Sequence, residues 1–471
     1  MNKIKEFLKI FKLSDLFLFL GFIPFIFFLI FGQELMQQNT GLIQVLFPIW
    51  VYIIFFIISL ISWAFYIYLE YKEGNKPNKW ITFIFLFLII YSNIVIFIQP
   101  THFVEDVVCR IVNEANERLY PGIVIGNVVT IEINYDIYHY MFFSMYITLV
   151  LAFMYIGLFM FPKRFKSIAF IRYLTYAFYA FLAALILYGY LTEYDKYIPF
   201  LQDLFSGNKE SISSNAVFSF IIHRNAYGMC MLMGIIFSYI NHSIEKKWWY
   251  YLIIGFLFIN LFFSWCITAL AIALILTAVY VIYRLIVTFK EHQKRNTTIF
   301  IIAGSVVIIA IGAVGVSLIT KGEILGKVYQ LIEGISGGGS TISSRAIIWN
   351  NIYQMLDHGW WLVGRGFGML NVSLYEMNKV NGDFVFPAHS SYLNLLGEGG
   401  IIYILTYLVF LGYLAYIIYQ CSKKNFGFTL ALSFGVLSFI FYSYLEAIEY
   451  LVYLFAFPLL IYYHSENTKK A

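Results

Sequence analysis

Apolar residues run along the chain in long stretches separated by short polar segments. A helix needs about 20 mainly apolar residues to cross the roughly 30 Å hydrocarbon core of a membrane, because it rises about 1.5 Å per residue. The stretch 248–289 is long enough for two such helices, and we divide it at Ser264 and Trp265. The pattern predicts twelve transmembrane helices, at residues 14–31, 42–69, 80–99, 138–161, 173–191, 225–241, 248–263, 267–285, 298–319, 393–420, 426–444 and 447–463.

The composition agrees with this pattern. Hydrophobic residues make up 61% of the chain and charged residues only 12%, whereas about a quarter of a soluble protein is charged. A water-soluble enzyme is excluded, and so is a disordered scaffold, because so much apolar surface must be buried. The predicted fold class is all-α, namely a polytopic membrane protein with about twelve transmembrane helices and a large external loop that carries short helices.

Basic residues indicate the orientation. With the N-terminus in the cytoplasm, 21 of the 31 Lys and Arg residues fall on inside segments, as the positive-inside rule requires. This orientation also places the C-terminus in the cytoplasm. Because the basic residues are spread in small groups over seven segments, the net charge of +5 does not indicate a partner nucleic acid. The four cysteines are widely spaced and suggest neither a disulfide framework nor a zinc site.

This topology divides the chain into three parts. Residues 1–319 contain the first nine transmembrane helices, with external loops at 100–137 and 192–224. Residues 320–392 form the largest external loop, and residues 393–471 contain the last three helices and a short cytoplasmic tail. The loop 100–137 is acidic and lacks an identifiable chemical motif, so we expect it to be a structural cap.

The largest loop holds a predicted amphipathic helix, which begins near Ser343 or Ser344 as a plausible N-cap. Arg345 lies in its first turn, where the helix dipole disfavours a cation unless an anion or carboxylate compensates it. The apolar positions that recur at helical spacing form one face of this helix. They are Ile348, Ile352, Met355 and Leu356.

Two further features follow this helix. Arg365 stands among the glycines of the segment Gly364–Gly368, which lets backbone amides and a guanidinium approach a ligand closely. His389 lies at the mouth of the tenth predicted span, and Tyr392 and Glu398 follow it into the helix. An imidazole with an ordinary pKa of about 6.5 is a usable base near neutral pH.

Together these residues resemble the signature of the O-antigen ligase and polysaccharide polymerase family. Arg345 with Trp349, the glycine-rich turn, and HSSYLNLLGEGG from His389 onward occur in the family's order. The segment HRNAYG, with Arg224 and Asn225, is similar to the family's basic residue and Asn at the start of a central span. The chain departs from the family at Ser390, where Asn is usual. It also departs at Trp265, where ligase-like members often carry Arg.

The resemblance implies a GT-C-like, metal-independent glycosyltransferase of the bacterial cytoplasmic (inner) membrane, which uses no cofactor. Its donor would be a glycan on undecaprenyl diphosphate, and its active site would lie in the external loop 320–392. His389 would be the catalytic base. Diphosphate-binding residues would be Arg224, Arg345 and Arg365, since guanidinium groups bind phosphate oxygens bidentately. Tyr392, Glu398, Asn225 and Gly366 would bind substrate or support the site.

Several activities fit this resemblance. The preferred one is polymerisation of lipid-linked repeat units into a capsule, an exopolysaccharide or an O-antigen. A ligase would instead transfer the glycan to lipid A core, a wall polymer or a protein, and the absence of Arg at Trp265 favours the polymerase. A flippase or exporter of the same unit would carry several charges within its spans, whereas most spans here have none. The expected partners are lipid-linked oligosaccharides, membrane lipid, a flippase and a chain-length regulator.

Overall fold

The computed structural model describes residues 12–37, 49–164, 169–206, 214–221, 224–291, 343–382, 388, 390–443 and 450–468. The chain forms two compact units, and each is composed of several separate segments. The first unit consists of residues 1–166, 343–414 and 443–449. The second consists of residues 167–342, 415–442 and 450–471.

The first unit contains a helical bundle and a two-stranded antiparallel sheet. Its described elements are α1 (Leu13–Gln37), α2 (Ile49–Lys72), α3 (Lys79–Phe97), β1 (His102–Val108), α4 (Glu114–Leu119), β2 (Val128–Asn134) and α5 (Ile137–Tyr155). A π-helical turn (Ile156–Met160) and a 3-10 turn (Phe161–Arg164) extend α5.

The second unit begins with α6 (Ala169–Thr192), α7 (Tyr197–Ser206), α8 (Arg224–Glu245), α9 (Trp249–Phe263) and α10 (Ile267–Glu291). The chain then returns to the first unit for α11 (Ser343–Asp357) and α12 (Met369–Lys379). It continues with α13 (Ser391–Ser422), whose residues up to Leu414 belong to the first unit. The last helices, α14 (Phe426–Tyr442) and α15 (Tyr450–Thr468), belong to the second unit.

The predicted membrane protein is confirmed in its coarse features. Within the described ranges, six helices are long and apolar enough to cross a membrane: Ile49–Lys72, Lys79–Phe97, Ile137–Arg164, Phe170–Thr192, Ile267–Arg284 and Ser391–Ser422. Four shorter apolar helices accompany them: Leu13–Phe27, Trp249–Phe263, Phe426–Tyr442 and Val452–Ser465. Eleven of the twelve predicted spans overlap helices of the described residues, and the span at 298–319 lies outside the described residues. That the chain has twelve transmembrane helices stays a prediction.

The division of the stretch 248–289 is confirmed. Helix α9 ends at Phe263 and α10 begins at Ile267. Between them Trp265 has a φ of 51°, a left-handed conformation that reverses the chain in a tight turn. Helix α8 is the interior helix of its unit, because nearly every residue from Tyr227 to His242 is buried among α6, α9, α10 and α14.

Buried charges join the helices of the first unit at one end of its bundle. The Arg164 guanidinium pairs with the carboxylates of Asp15 on α1 and Glu70 on α2. Glu70 also accepts hydrogen bonds from Ser14 (2.9 Å) and Asn75 (2.9 Å). The start of α1, the end of α2 and the extension of α5 therefore lie together, and mutual pairing compensates the cost of burying their charges.

A β-hairpin interrupts the all-helical pattern. The strands pair from His102 opposite Asn134 to Val108 opposite Val128, and alternate residues are buried. The hairpin packs against the segment that carries α11 and α12, and we call residues 101–135 and 343–382 together the outer lobe. The helix α4 is tied into it by a hydrogen bond from Asn116 Nδ2 to the carbonyl of Val380 (2.9 Å).

Tyr135 joins the end of the hairpin to α12. Its hydroxyl donates to the carbonyl of Met369 (3.0 Å) and contacts the Ser373 hydroxyl. Burial raises the pKa of Tyr135 to about 12, so this donor keeps its proton at neutral pH. The described parts of two predicted external loops, residues 101–135 and 343–382, thus pack together.

Candidate functional site

The glycine-rich turn packs directly on the first part of α13. The amides of Arg365 and Gly366 donate to the carbonyls of Gly397 (2.6 Å) and Glu398 (2.8 Å). Gly364 has a φ of 75°, and a Cβ there would lie 2.5 Å from the carbonyl carbon of Glu398. The glycines therefore permit close contact between two backbone segments, and the amide of Gly366 already has its acceptor.

A break in α13 accompanies this contact. Gly400 has a φ of 63° and a ψ of −160°, so the helix is interrupted inside the predicted span 393–420. A Cβ at Gly400 would lie 2.2 Å from the carbonyl oxygen of Leu362, and the amide of Ile401 donates to the carbonyl of Trp361 (3.0 Å). The short helix from Ser391 to the break is thereby fixed against the outer lobe.

Glu398 lies two residues before this break and is 3% exposed. Its carboxylate oxygen lies 3.5 Å from the amide of Gly368. The resemblance implied that Glu398 would bind substrate or support the site. Its contact with the glycine-rich turn favours the supporting role.

Arg365 is buried inside the outer lobe and is only 2% exposed. Its guanidinium carbon lies 4.0 Å from the ring centroid of Phe103 and 5.0 Å from that of Trp360. Burial lowers the pKa of Arg365, while Tyr135 and Glu105 act in the opposite direction. Its Nε and Nη2 atoms have no hydrogen-bond partner among the described residues. This environment favours a structural role, in which stacking on two rings holds the turn to the hairpin, over the predicted contact with a diphosphate.

A hydrogen bond connects α11 with the residue before His389. The indole Nε1 of Trp349 donates to the carbonyl of Ala388 (2.9 Å). On the other side of His389, Ser390 is buried and the amide of Ser391 donates to the carbonyl of Ser443 (2.7 Å). The chain is thus anchored immediately before and after this histidine. His389 itself lies outside the described residues.

Arg345 lies in the first turn of α11, as predicted, since the helix begins at Ser343. Trp349 is one turn further along the same helix. The face predicted to be apolar is confirmed, because Ile348, Ile352, Met355 and Leu356 are all buried. The backbone of Arg345 therefore belongs to the same helix as Trp349, whose indole donates to the carbonyl of Ala388. The side chain of Arg345 falls outside the described residues.

Tyr392 is half-buried, and its ring makes an edge contact with Tyr407 at a centroid distance of 6.1 Å. Asn394 follows it and is 7% exposed. The side-chain oxygen of Asn394 has no hydrogen-bond partner in the described part of the chain. Sequence reasoning overlooked Asn394, although an Asn within an apolar segment was an available signal.

Arg224 and Asn225 belong to the second unit, where they begin α8. The carbonyl of Asn225 lies 4.0 Å from the Cys266 sulfur, which also contacts the Tyr442 hydroxyl at 3.2 Å. Gly228 allows this approach, since a Cβ there would lie 2.4 Å from the Cβ of Cys266. The start of α8 is therefore fixed against the turn between α9 and α10.

Phe103 and Trp360 are further residues that sequence reasoning missed. Trp360 is five positions before Arg365, but no pattern in the sequence connects Phe103 with Trp360 or with Arg365.

The described residues contain no group of three or more His, Cys, Asp or Glu side chains arranged to hold a metal ion. Comparison with protein-family models, with curated proteins and with solved structures finds no match.

Proposed function

We propose that the chain is a glycosyltransferase of the bacterial cytoplasmic membrane with a GT-C-like architecture of about twelve spans. It would polymerise undecaprenyl-diphosphate-linked repeat units into a surface polysaccharide at its external face. The apolar helices support a membrane location. The motif residues quoted from the sequence support the reaction, and one contact joins the two segments that carry Arg345 and His389.

That contact is the hydrogen bond between Trp349 and Ala388. Trp349 is one helical turn, about 5.4 Å, after Arg345, and Ala388 directly precedes His389. The bond therefore connects the helix that carries the proposed phosphate ligand with the segment that carries the proposed base. A cation for the leaving diphosphate and a base for the acceptor are the two groups that this transfer requires.

In the proposed reaction a hydroxyl oxygen of the acceptor unit attacks the anomeric carbon of the growing chain. The bond from that carbon to the diphosphate oxygen breaks, and undecaprenyl diphosphate leaves with the electron pair. His389 takes the hydroxyl proton. Arg345 stabilises negative charge on the departing diphosphate. Tyr392 contacts substrate, whereas Glu398 and Gly366 support the turn. The roles that the resemblance implies for Arg224 and Asn225 stay predictions from the sequence.

The experiment uses purified protein in nanodiscs with lipid-linked repeat units and a chelator. We expect a ladder of longer lipid-linked glycans, and a loss of about 100-fold in rate for Arg345→Ala, as for other removed charge-stabilising groups. Arg118→Ala is the matched control, because Arg118 is exposed and its ion pair among the described residues is a surface contact with Glu114 at 3.6 Å. If the glycan is transferred only after a foreign acceptor is added, the activity is that of a ligase and not of a polymerase. Full activity of Arg345→Ala would refute its role.

A further inference from the structure

The outer lobe contains a cleft of about 650 Å³ between the β1 side of the hairpin and α11. This volume is within the roughly 300–1,000 Å³ typical of small-molecule sites. Its lining residues are Val104, Glu105, Asp106, Arg110, Asn350, Tyr353, Gln354, Asp357 and His358. The residues assigned above to catalysis and to the diphosphate do not line it.

The polar wall of the cleft is held in a fixed arrangement. Gln354 Nε2 donates to the carbonyl of Asp106 (2.7 Å) and to the carboxylate of Glu105 (3.3 Å). His358 Nε2 lies 3.4 Å from the same Glu105 carboxylate. The carboxylate of Asp106 accepts from the Thr130 hydroxyl (2.6 Å). Since a carboxylate can accept several hydrogen bonds, Asp106, which is exposed, retains capacity for ligand hydroxyls.

An aromatic surface borders the polar wall. The rings of Tyr353 and Trp361 are nearly parallel, with an interplanar angle of 16° and a centroid distance of 6.0 Å. Each residue is 38% exposed. Trp361 is held by a hydrogen bond from its Nε1 to the Asp357 carboxylate (2.9 Å). Exposed aromatic rings with a negative face attract the C–H groups on the flat side of a sugar ring.

Aromatic rings beside carboxylates and amides match the two kinds of surface on a sugar, its C–H face and its hydroxyl edge. Three acidic side chains line the cleft against one Arg, and this excess of negative charge repels diphosphates and acidic sugars. We propose that the cleft is a binding site for a neutral oligosaccharide.

The position of the cleft assigns a role to this glycan, and that role rests on the proposed function. Tyr353 and Arg345 are both on α11, eight residues apart, which corresponds to about 12 Å along the helix axis. A glycan in the cleft would extend toward the proposed phosphate ligand without displacing the diphosphate. The cleft therefore holds sugars of the oligosaccharide that are remote from the reacting bond.

The test measures binding by saturation-transfer NMR on the full chain in nanodiscs. The probes are neutral tetrasaccharides with glucose, mannose or N-acetylglucosamine units, the oligosaccharide released by mild acid from the host's lipid-linked units, and tetragalacturonic acid. We expect at least one neutral probe to bind, with affinity about tenfold lower in Tyr353→Ala. Tyr353→Phe keeps the ring and should bind normally, as should Tyr194→Ala, which removes an exposed tyrosine elsewhere.

Asp106→Asn provides a second variant that keeps the side-chain shape, and we expect severalfold weaker binding. The inference is overturned if no neutral probe binds, if Tyr353→Ala binds as well as wild type, or if tetragalacturonic acid binds best. Binding that disappears with a chelator would indicate a cation site instead. The assay needs neither lipid diphosphate nor turnover. If the polymerisation assay gives a glycan ladder but no neutral glycan binds, only the proposed glycan site in the cleft is refuted. If a neutral glycan binds but no ladder forms, only the proposed polymerase activity is refuted.

Discussion

The indole nitrogen of Trp349 and the carbonyl oxygen of Ala388 are 2.9 Å apart, and this bond joins α11 to the segment that leads to His389. Trp349→Phe keeps an aromatic ring but removes the donor. Loss of one hydrogen bond costs about 1 kcal/mol, and a misplaced base costs more in rate than in substrate binding. We expect a kcat for chain elongation about tenfold lower or more, with little change in KM.

The control for this variant is Trp80→Phe, because Trp80 is 78% exposed. Initial rates of ladder formation at several donor concentrations separate kcat from KM. An increased KM with an unchanged kcat would show that Trp349 contributes to donor binding and does not position His389.

The contact between Gly364 and Glu398 predicts a large difference between two glycine substitutions. Gly364→Ala places a Cβ 2.5 Å from backbone atoms at a φ of 75°, whereas Gly359 has a similar φ of 94° and nothing within 4 Å. Gly359→Ala should lower the free energy of unfolding by about 1 kcal/mol, through backbone strain alone. Gly364→Ala should cost at least 3 kcal/mol, as overpacking adds to the strain.

Thermal unfolding in detergent provides the measurement for this pair. A lower midpoint for Gly364→Ala than for Gly359→Ala is expected. Equal midpoints would mean that the turn does not pack on α13 as described.

The two rings around Arg365 predict that even a conservative substitution destabilises the outer lobe. A Lys ammonium cannot stack its charge on Phe103 and Trp360 as a planar guanidinium does. We expect Arg365→Lys to lower stability by about 2 kcal/mol and to leave the KM for the lipid-linked donor unchanged. Thermal unfolding and donor titration are measured on the same preparation. An unchanged midpoint with a raised KM would restore the diphosphate-binding role.

The buried carboxylate of Glu70 predicts a strong effect at the opposite region of the first unit. Glu70→Ala leaves Arg164 paired with Asp15 alone. Loss of one partner of a buried ion pair lowers the free energy of unfolding by about 3–5 kcal/mol. Glu114→Ala removes the exposed partner of Arg118 and should cost less than about 1 kcal/mol. Unfolding midpoints of Glu70→Ala and Glu114→Ala test this difference, and similar midpoints would contradict the buried network.

Helices could be predicted from the sequence because their apolar stretches are long and their ends are polar. The break at Ser264 and Trp265 was visible for the same reason. The break at Gly400 was not, because the residues that require it, Leu362 and Trp361, are distant in sequence and act through backbone contact. A local pattern carries no information on such contacts.

In the candidate site, too, contacts between distant segments could not be predicted from local sequence patterns. The motif order identified Arg365, but its burial depends on Phe103, a residue of the hairpin whose approach no spacing predicts. The role of Glu398 likewise depends on which segment packs against it. By contrast, Arg345 and Trp349 were placed correctly on one helix, since apolar positions at helical spacing identify the helix that contains both.

The most direct test of the account compares wild type with His389→Ala in the reconstituted polymerisation assay with chelator. The matched control is His102→Ala, an exposed histidine of the hairpin whose ring pairs with Asn134 at 2.7 Å. We expect ladders from wild type and His102→Ala, and a rate at least about 100-fold lower for His389→Ala. An unchanged ladder from His389→Ala would contradict the proposed base, and an absence of any ladder from wild type would contradict the polymerase.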